Sequence, residues 1–146
     1  MPEIAVPDHA ALIERSFEGA AERGCDITPL VFERFFALAP QAEGLFDQDA
    51  LDPQGRGRML AEMLTILVDQ ARGEGYVAPT LATIAADHVA YGVADHGLYA
   101  VWLEALTGVV RDLNGPGWSA EMADAWASQG GRFLAALARN RHPAAG

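Results

Sequence analysis

The stretch Leu81-Ala-Thr-Ile-Ala-Ala-Asp-His-Val-Ala-Tyr-Gly-Val93 decides the fold of this chain. Its apolar residues recur with a helical period, because Leu81, Ile84 and Ala85 stand at positions i, i+3 and i+4. His88 follows at i+7 and therefore lies on the apolar face of the predicted helix. An imidazole in this place is either a buried histidine with a satisfied hydrogen bond or a metal ligand.

The composition is that of a globular protein, with 51% hydrophobic and 21% charged residues among 146. A chain of this length forms one domain by default, so we expect a single domain over residues 1–146 with loose tails at 1–7 and 140–146. The net charge of -10 repels nucleic-acid phosphates and anionic lipid. We therefore expect neither nucleic acid nor a membrane as a partner.

The single cysteine, Cys25, excludes an internal disulfide and any site built from several cysteines. A lone thiol also fits a reducing compartment. No apolar run reaches the roughly 18 residues of a membrane span. The N-terminal stretch Met1–His9 lacks the charged and apolar regions of a signal peptide, so we expect a cytoplasmic protein.

Helical periodicity dominates the rest of the chain, and capping residues mark where the helices begin. Proline directly follows the cap at Thr28-Pro29 and at Asp52-Pro53, as is common in a first helical turn. The absence of a credible strand pair predicts an all-α fold of about six to seven helices around one core. The predicted helices run from Asp8 to Arg23, from Thr28 to before Pro40, through a short turn ending at Phe46, from Asp52 to Arg72, from Pro79 to Gly92, from Asp95 to Leu113 and from Ser119 to the tail.

Three segments carry a resemblance to a known family. They are Val31-Phe-Glu-Arg-Phe-Phe-Ala-Leu-Ala-Pro-Gln-Ala-Glu-Gly-Leu-Phe46, then Ala78-Pro-Thr-Leu-Ala-Thr-Ile-Ala-Ala-Asp-His-Val-Ala-Tyr-Gly-Val93, and then Tyr99-Ala-Val-Trp-Leu-Glu-Ala-Leu106 followed by Trp118-Ser-Ala-Glu-Met-Ala-Asp-Ala-Trp126. In order and spacing they resemble the globin family, in its bacterial single-domain branch, over about residues 8–138. The resemblance implies a globin-like fold around one pocket for haem b.

The resemblance also implies the residues on the proximal side of the haem. His88 matches the histidine that binds the iron, and its other ring nitrogen then needs an acceptor such as a carbonyl one turn back. Phe46 matches the phenylalanine that stacks on the porphyrin. Ile84 and Val93 would press on the proximal face, and Phe133 would lie on the floor of the pocket. Without the resemblance these apolar residues are ordinary core.

The distal side departs from the family pattern. Counting back from His88 without a gap puts Arg56 where relatives have histidine or glutamine, and Leu60 follows one turn later. Phe32 matches a position that is often tyrosine in oxygen-detoxifying members, and Trp102 one that is usually small and aliphatic. The resemblance thus implies a mostly apolar distal pocket, and apolar pockets favour carbon monoxide and nitric oxide over oxygen.

Three parts of this assignment stay open. Arg56 is alternatively a solvated residue near a helix start. A shift of register in the preceding loop would instead bring Leu60 or Gln54 to the iron. His96, in the corner after the proximal helix, is either a solvated residue or a partner of a haem propionate.

The resulting hypothesis is a haem protein that binds a diatomic gas: oxygen, nitric oxide or carbon monoxide. An enzymatic alternative is nitric oxide dioxygenation, with electrons from a separate reductase, since no flavin or nicotinamide domain follows in the sequence. A third alternative is a haem-free globin-fold module for sensing or interaction. Paired exposed faces on the last two helices also allow a homodimer.

Overall fold

The computed structural model describes residues 8–24, 26–50, 54–90, 93 and 97–139. Two 3-10 helices, Pro40–Ala50 and Gly115–Gly117, follow the second and the fifth of six α-helices. The first of them is kinked at Phe46, whose backbone leaves the helical region (φ -108°, ψ 25°). The six α-helices are α1 His9–Gly24, α2 Thr28–Leu38, α3 Gly55–Arg72, α4 Val77–Ala90, α5 Gly97–Asn114 and α6 Ala120–Arg139.

The all-α prediction is confirmed, because every regular element in the described ranges is a helix. None of these helices is long and apolar enough to cross a lipid bilayer. The predicted loose tails at 1–7 and 140–146 lie outside the described residues, as do Cys25, Asp52 and Asp95.

Several of the predicted helix ends are confirmed by their caps. The Asp8 carboxylate accepts a hydrogen bond from the Ala11 N–H at 3.1 Å, and the Ser119 hydroxyl accepts one from the Met122 N–H at 3.1 Å. α3 ends at Gly73, which adopts the left-handed conformation (φ 77°) that glycine reaches without strain. These signals are read correctly from sequence because a cap acts over only three or four residues.

Other helix starts were predicted wrongly by one to three residues. Thr28 does not cap α2 but begins it, and the Asp26 carboxylate accepts a hydrogen bond from the Thr28 N–H at 3.0 Å. Hydrogen bonds from Thr28 lower the pKa of Asp26 below its ordinary value. α4 begins at Val77, two residues before Pro79, and α3 begins at Gly55. Proline tolerates any place in the first turn, so it marks a helix start only approximately.

The packing of the helices leaves α4 as the least enclosed of them. α1 packs on α3, α5 and α6, and α2 packs on α5, whereas the main neighbours of α4 in the described part of the chain are α6 and α3. Leu81 and Ala85 bury themselves in that contact, with 1% and 4% of their surface exposed. Ile84 and His88, on the same helix, are half-buried.

A small polar junction joins α1, α5 and α6 inside the core. The Trp126 indole N–H donates to the Ser16 hydroxyl at 2.8 Å. The Asn114 amide N–H₂ donates to the carbonyl oxygens of Ser16 and Val110, each at 2.8 Å. These groups are buried, and the junction is satisfied because each donor finds an acceptor.

Candidate functional site

The imidazole of His88 is oriented by its own helix. Its Nδ1 lies 2.8 Å from the carbonyl oxygen of Ile84, one turn earlier. A carbonyl only accepts, so Nδ1 carries the proton in this bond and Nε2 keeps a lone pair. The half-buried ring thus presents an unprotonated nitrogen, which is the form of histidine that binds a metal ion.

Tyr99 of α5 lies against this imidazole. The two ring centroids are 5.4 Å apart with the planes tilted by 60°, and Tyr99 in turn meets the ring of Phe133 edge-on at 6.5 Å. Burial raises the pKa of the Tyr99 phenol above its ordinary value of 10.0. Tyr99 was not predicted as a site residue, although its place three residues before Trp102 on the same helix face was a usable signal.

A second group of rings forms the aromatic cluster, which we define as Phe32, Phe35, Phe36, Phe46 and Trp102. Phe32 is at its centre, with its ring centroid 4.8 Å from that of Trp102 and 5.2 Å from that of Phe46. Edge-on and tilted contacts of this kind contribute about 0.5–1.5 kcal/mol per pair beyond the burial of apolar area. The cluster joins α2, the kinked 3-10 helix and α5.

The guanidinium of Arg56 lies over the aromatic cluster. Its Cζ is 5.0 Å from the ring centroid of Phe32, 5.1 Å from that of Phe36 and 5.5 Å from that of Phe46. Cation–π contacts within about 6 Å are attractive, which explains why this cation is half-buried near the start of α3. Arg56 is therefore half-buried against aromatic rings, and its role toward haem stays a prediction.

The two alternatives to Arg56 occupy different places. Gln54 is exposed at the N-cap of α3. Leu60 is buried, with 4% of its surface exposed, and lines a groove of about 580 Å³ between α1 and α3. Of the three residues considered for the distal position, Arg56 is the one with a described contact to Phe32 and Phe46.

Trp102 is the one residue of the described part of the chain whose side chain buries a nitrogen or oxygen atom without a hydrogen-bond partner. The atom is the indole Nε1, and 1% of the residue surface is exposed. An unsatisfied buried donor costs about 1–3 kcal/mol. The other buried tryptophan with a described indole contact, Trp126, donates to Ser16.

The remaining predicted site residues lie close to these groups or outside the description. Ile84 and Val93 are half-buried and pack against the core, and the Val93 N–H donates to the His88 carbonyl at 2.8 Å. Phe133 is fully buried, at 0% exposure. His96 lies outside the described residues, so its link to a propionate stays a prediction.

Helix α5 joins the two halves of the site. Tyr99 contacts His88, and Trp102 contacts Phe32. Tyr99 and Trp102 are one turn apart on one face of α5, about 4.5 Å along the helix axis. One helix face therefore contacts both His88 and Phe32, two of the predicted site residues. His88 lines neither the α1–α3 groove nor a second groove of about 420 Å³ at the junction of α3, α4 and α6.

This arrangement suits a group that takes a single ligand from the protein. Within the described ranges no three His, Cys, Asp or Glu side chains come together to hold a bare metal ion. A haem needs no such cluster, because the porphyrin supplies four nitrogens and one histidine is enough from the protein.

Comparison with known proteins agrees with the helical architecture. The family model described as Globin matches residues 30–137. A curated relative is the leghemoglobin of Medicago sativa, which is 26% identical over 127 residues that span 82% of this chain and 86% of the relative. The family model covers well over half of the sequence, including most of α2 and most of α6. The chain belongs to the globin family.

Proposed function

We propose that this globin binds haem b through His88 and that the bound haem takes up a diatomic gas. The observation that carries the proposal is the hydrogen bond from His88 Nδ1–H to the Ile84 carbonyl, at 2.8 Å. It leaves the Nε2 lone pair of a half-buried imidazole available for iron. Globins as a family bind haem, and the bound haem supplies an iron that takes oxygen, nitric oxide or carbon monoxide.

The described residues fit such a group. Tyr99 limits the rotation of the His88 imidazole by ring contact, so the ligand nitrogen is held in one direction. The aromatic cluster offers apolar surface of the kind that excludes water from a porphyrin, and Phe46 is at its edge. The unpartnered indole N–H of Trp102 is a buried donor that this chain leaves without an acceptor.

The finer assignments are part of the same proposal. We infer a single globin domain over residues 1–146 of the bacterial single-domain type, working in the cytoplasm. The net charge of -10 argues against nucleic acid and anionic membranes as partners. The exposed faces of α5 and α6 make a homodimer the arrangement to look for by light scattering.

Reconstitution with haemin tests the proposal. The wild-type apoprotein should take up one equivalent of haemin and develop a Soret band. His88→Gly should lose the histidine-ligated spectrum, and free imidazole should restore it, because the added ring enters the space that the side chain leaves. Val89→Ala is the matched control, since Val89 is the next residue on α4 and is 57% exposed. A His88→Gly spectrum identical to wild type without imidazole would refute the assignment.

One observation favours a second candidate, a haem-free globin module that senses or binds a partner. Phe32 and Trp102 are each 1% exposed and lie 4.8 Å apart, so the predicted distal side is closely packed. A folded wild-type apoprotein that takes up no haemin would support this candidate. The enzymatic alternative, nitric oxide dioxygenation with a separate reductase, predicts steady nitric oxide consumption by the haem-loaded protein once a reductase and oxygen are supplied.

A further inference from the structure

The indole N–H of Trp102 is buried without a hydrogen-bond partner among the described residues. Its ring packs between Phe32, at 4.8 Å, and Phe35, at 5.6 Å, both of which have only carbon in their side chains. Arg56, whose guanidinium lies over the neighbouring ring of Phe32, has donors and no acceptor. Because Nε1 has no partner among the described residues, its acceptor has to come from outside them.

The position of Trp102 limits what that acceptor can be. The side chain is buried, with 1% of its surface exposed, so a peptide or a sugar is too large to reach Nε1 and the acceptor must be a small molecule. It stands one turn of α5 from Tyr99, the residue that contacts His88. The donor is therefore on the Phe32 side of the same helix face that supports the imidazole.

We propose that Trp102 Nε1–H donates the hydrogen bond that selects the diatomic gas held in this pocket. The inference rests on the proposed function, because the gas is held there only if His88 carries haem. A single neutral donor favours oxygen over carbon monoxide, since oxygen acquires the larger negative charge on binding and is the better acceptor. This chain has Arg56 at the distal position where relatives have histidine or glutamine. Trp102 thus supplies the hydrogen-bond donor in place of that residue.

The roles of Trp102 and Arg56 are separable on this view. The guanidinium of Arg56 is engaged with three phenylalanine rings, at 5.0 to 5.5 Å from their centroids. Trp102 lies deeper in the core than Arg56, which is half-buried. The indole therefore discriminates between the gases, and the guanidinium closes the solvent side of the pocket.

Gas release from the haem-loaded protein tests the inference. Trp102→Phe should speed oxygen release roughly three- to tenfold, which is the effect of one hydrogen bond of ordinary net strength. Carbon monoxide release should change less than about twofold, because carbon monoxide is a poor acceptor. Trp126→Phe is the matched control: it removes an indole donor whose acceptor is Ser16, far along the chain from the site, and should leave the ratio of the two rates unchanged.

A second measurement needs no change at Trp102. The indole ¹H–¹⁵N resonances of the three tryptophans are assigned with Trp118→Phe and Trp126→Phe, and the wild-type carbon monoxide and oxygen forms are then compared. The Trp102 indole proton should move downfield in the oxygen form while that of Trp126 stays in place. An unmoved Trp102 resonance, or a Trp102→Phe variant that changes both release rates equally, would overturn the inference.

The two proposals fail in different ways. Failure of the proposed function appears before any gas is added, as a wild-type protein without a Soret band, and it removes this inference as well. Failure of the present inference leaves the Soret band and gas binding intact, with oxygen release insensitive to Trp102→Phe. Loss of oxygen selectivity in Arg56→Gln but not in Trp102→Phe would assign the donor to Arg56 instead.

Discussion

The imidazoles of His88 and His9 are held in opposite tautomers by their partners. His88 Nδ1 lies 2.8 Å from the Ile84 carbonyl oxygen and must donate, whereas His9 Nδ1 lies 3.0 Å from the Gln129 amide nitrogen and must accept. The Gln129 amide oxygen already accepts a hydrogen bond from Gln70 at 2.9 Å, so the amide nitrogen of Gln129 is the atom that faces His9. The contrast supplies a test within one molecule.

The first prediction concerns these tautomers in the haem-free protein. At a pH where both rings are neutral, ¹⁵N chemical shifts should show His88 with a protonated Nδ1 and His9 with a protonated Nε2. The reason is that each ring places its proton where the neighbouring group can accept it and its lone pair where the neighbour donates. A protonated Nε2 on His88 would mean that the ligand nitrogen is not preset by its helix.

The second prediction concerns Tyr99, whose ring contacts both His88 and Phe133. Tyr99→Ala should lower the free energy of unfolding of the apoprotein by about 3–5 kcal/mol, because it leaves a cavity in the core. In the haem-loaded protein it should also speed haem loss, since the imidazole is no longer held by its neighbour.

Tyr76→Ala is the control for that change, because Tyr76 is 45% exposed and bonds Asp69 at the surface. We expect it to cost less than about 1 kcal/mol in urea unfolding. If Tyr76→Ala lowered the free energy of unfolding as much as Tyr99→Ala, the packing of Tyr99 in the core would not explain its effect.

The third prediction concerns Gly19, which faces the buried amide of Asn114. A methyl group added at Gly19 would overlap the Asn114 amide oxygen and push an amide that donates to Ser16 and Val110. Gly19→Ala should therefore destabilise the apoprotein by about 1–3 kcal/mol. Gly131→Ala, on the exposed side of α6 with nothing within 4 Å of the new methyl, should stabilise it by about 0.5–1 kcal/mol through helix propensity. Thermal unfolding of the two variants should move the melting temperature in opposite directions.

The fourth prediction concerns Arg56 and the aromatic cluster. Arg56→Gln should lower the free energy of unfolding by about 0.5–2 kcal/mol, because the cation over Phe32, Phe36 and Phe46 is lost. Arg15→Gln removes the same charge from an exposed position on α1, so a change within about 0.5 kcal/mol is expected. The comparison should be made in chemical unfolding at two salt concentrations. If both variants changed equally, net charge rather than ring contact would explain the effect.

Much of the helical architecture could be predicted because its signals are local. The caps at Asp8 and Ser119 and the glycine stop at Gly73 each act within one turn, so a short window of sequence contains them. The placing of His88 on the apolar face of its helix is local in the same sense. Starts marked by proline were less exact, as α4 shows by beginning two residues before Pro79.

The contacts of the candidate site could not be predicted in this way. Arg56 was left between a distal and a solvated position, since nothing near it in sequence says that three rings from α2 and the 3-10 helix come to lie under it. Tyr99 was missed as the neighbour of His88 for the same reason, because the two residues meet across helices. The roles of all these residues toward haem stay predictions.

The sequence alone determined that this chain is all-α with a histidine on the apolar face of its helix, since helical period and capping are properties of consecutive residues. The resemblance to globins came from the order and spacing of three segments. The tertiary structure alone decided which side chains surround that histidine and which donor stays unsatisfied. The Trp102 indole illustrates the difference: its residue type was readable from the sequence, but the lack of an acceptor depends on where Phe32 and Phe35 come to rest. Hydrogen bonding in a core is set by the packing of distant segments, and only the folded chain brings those segments together.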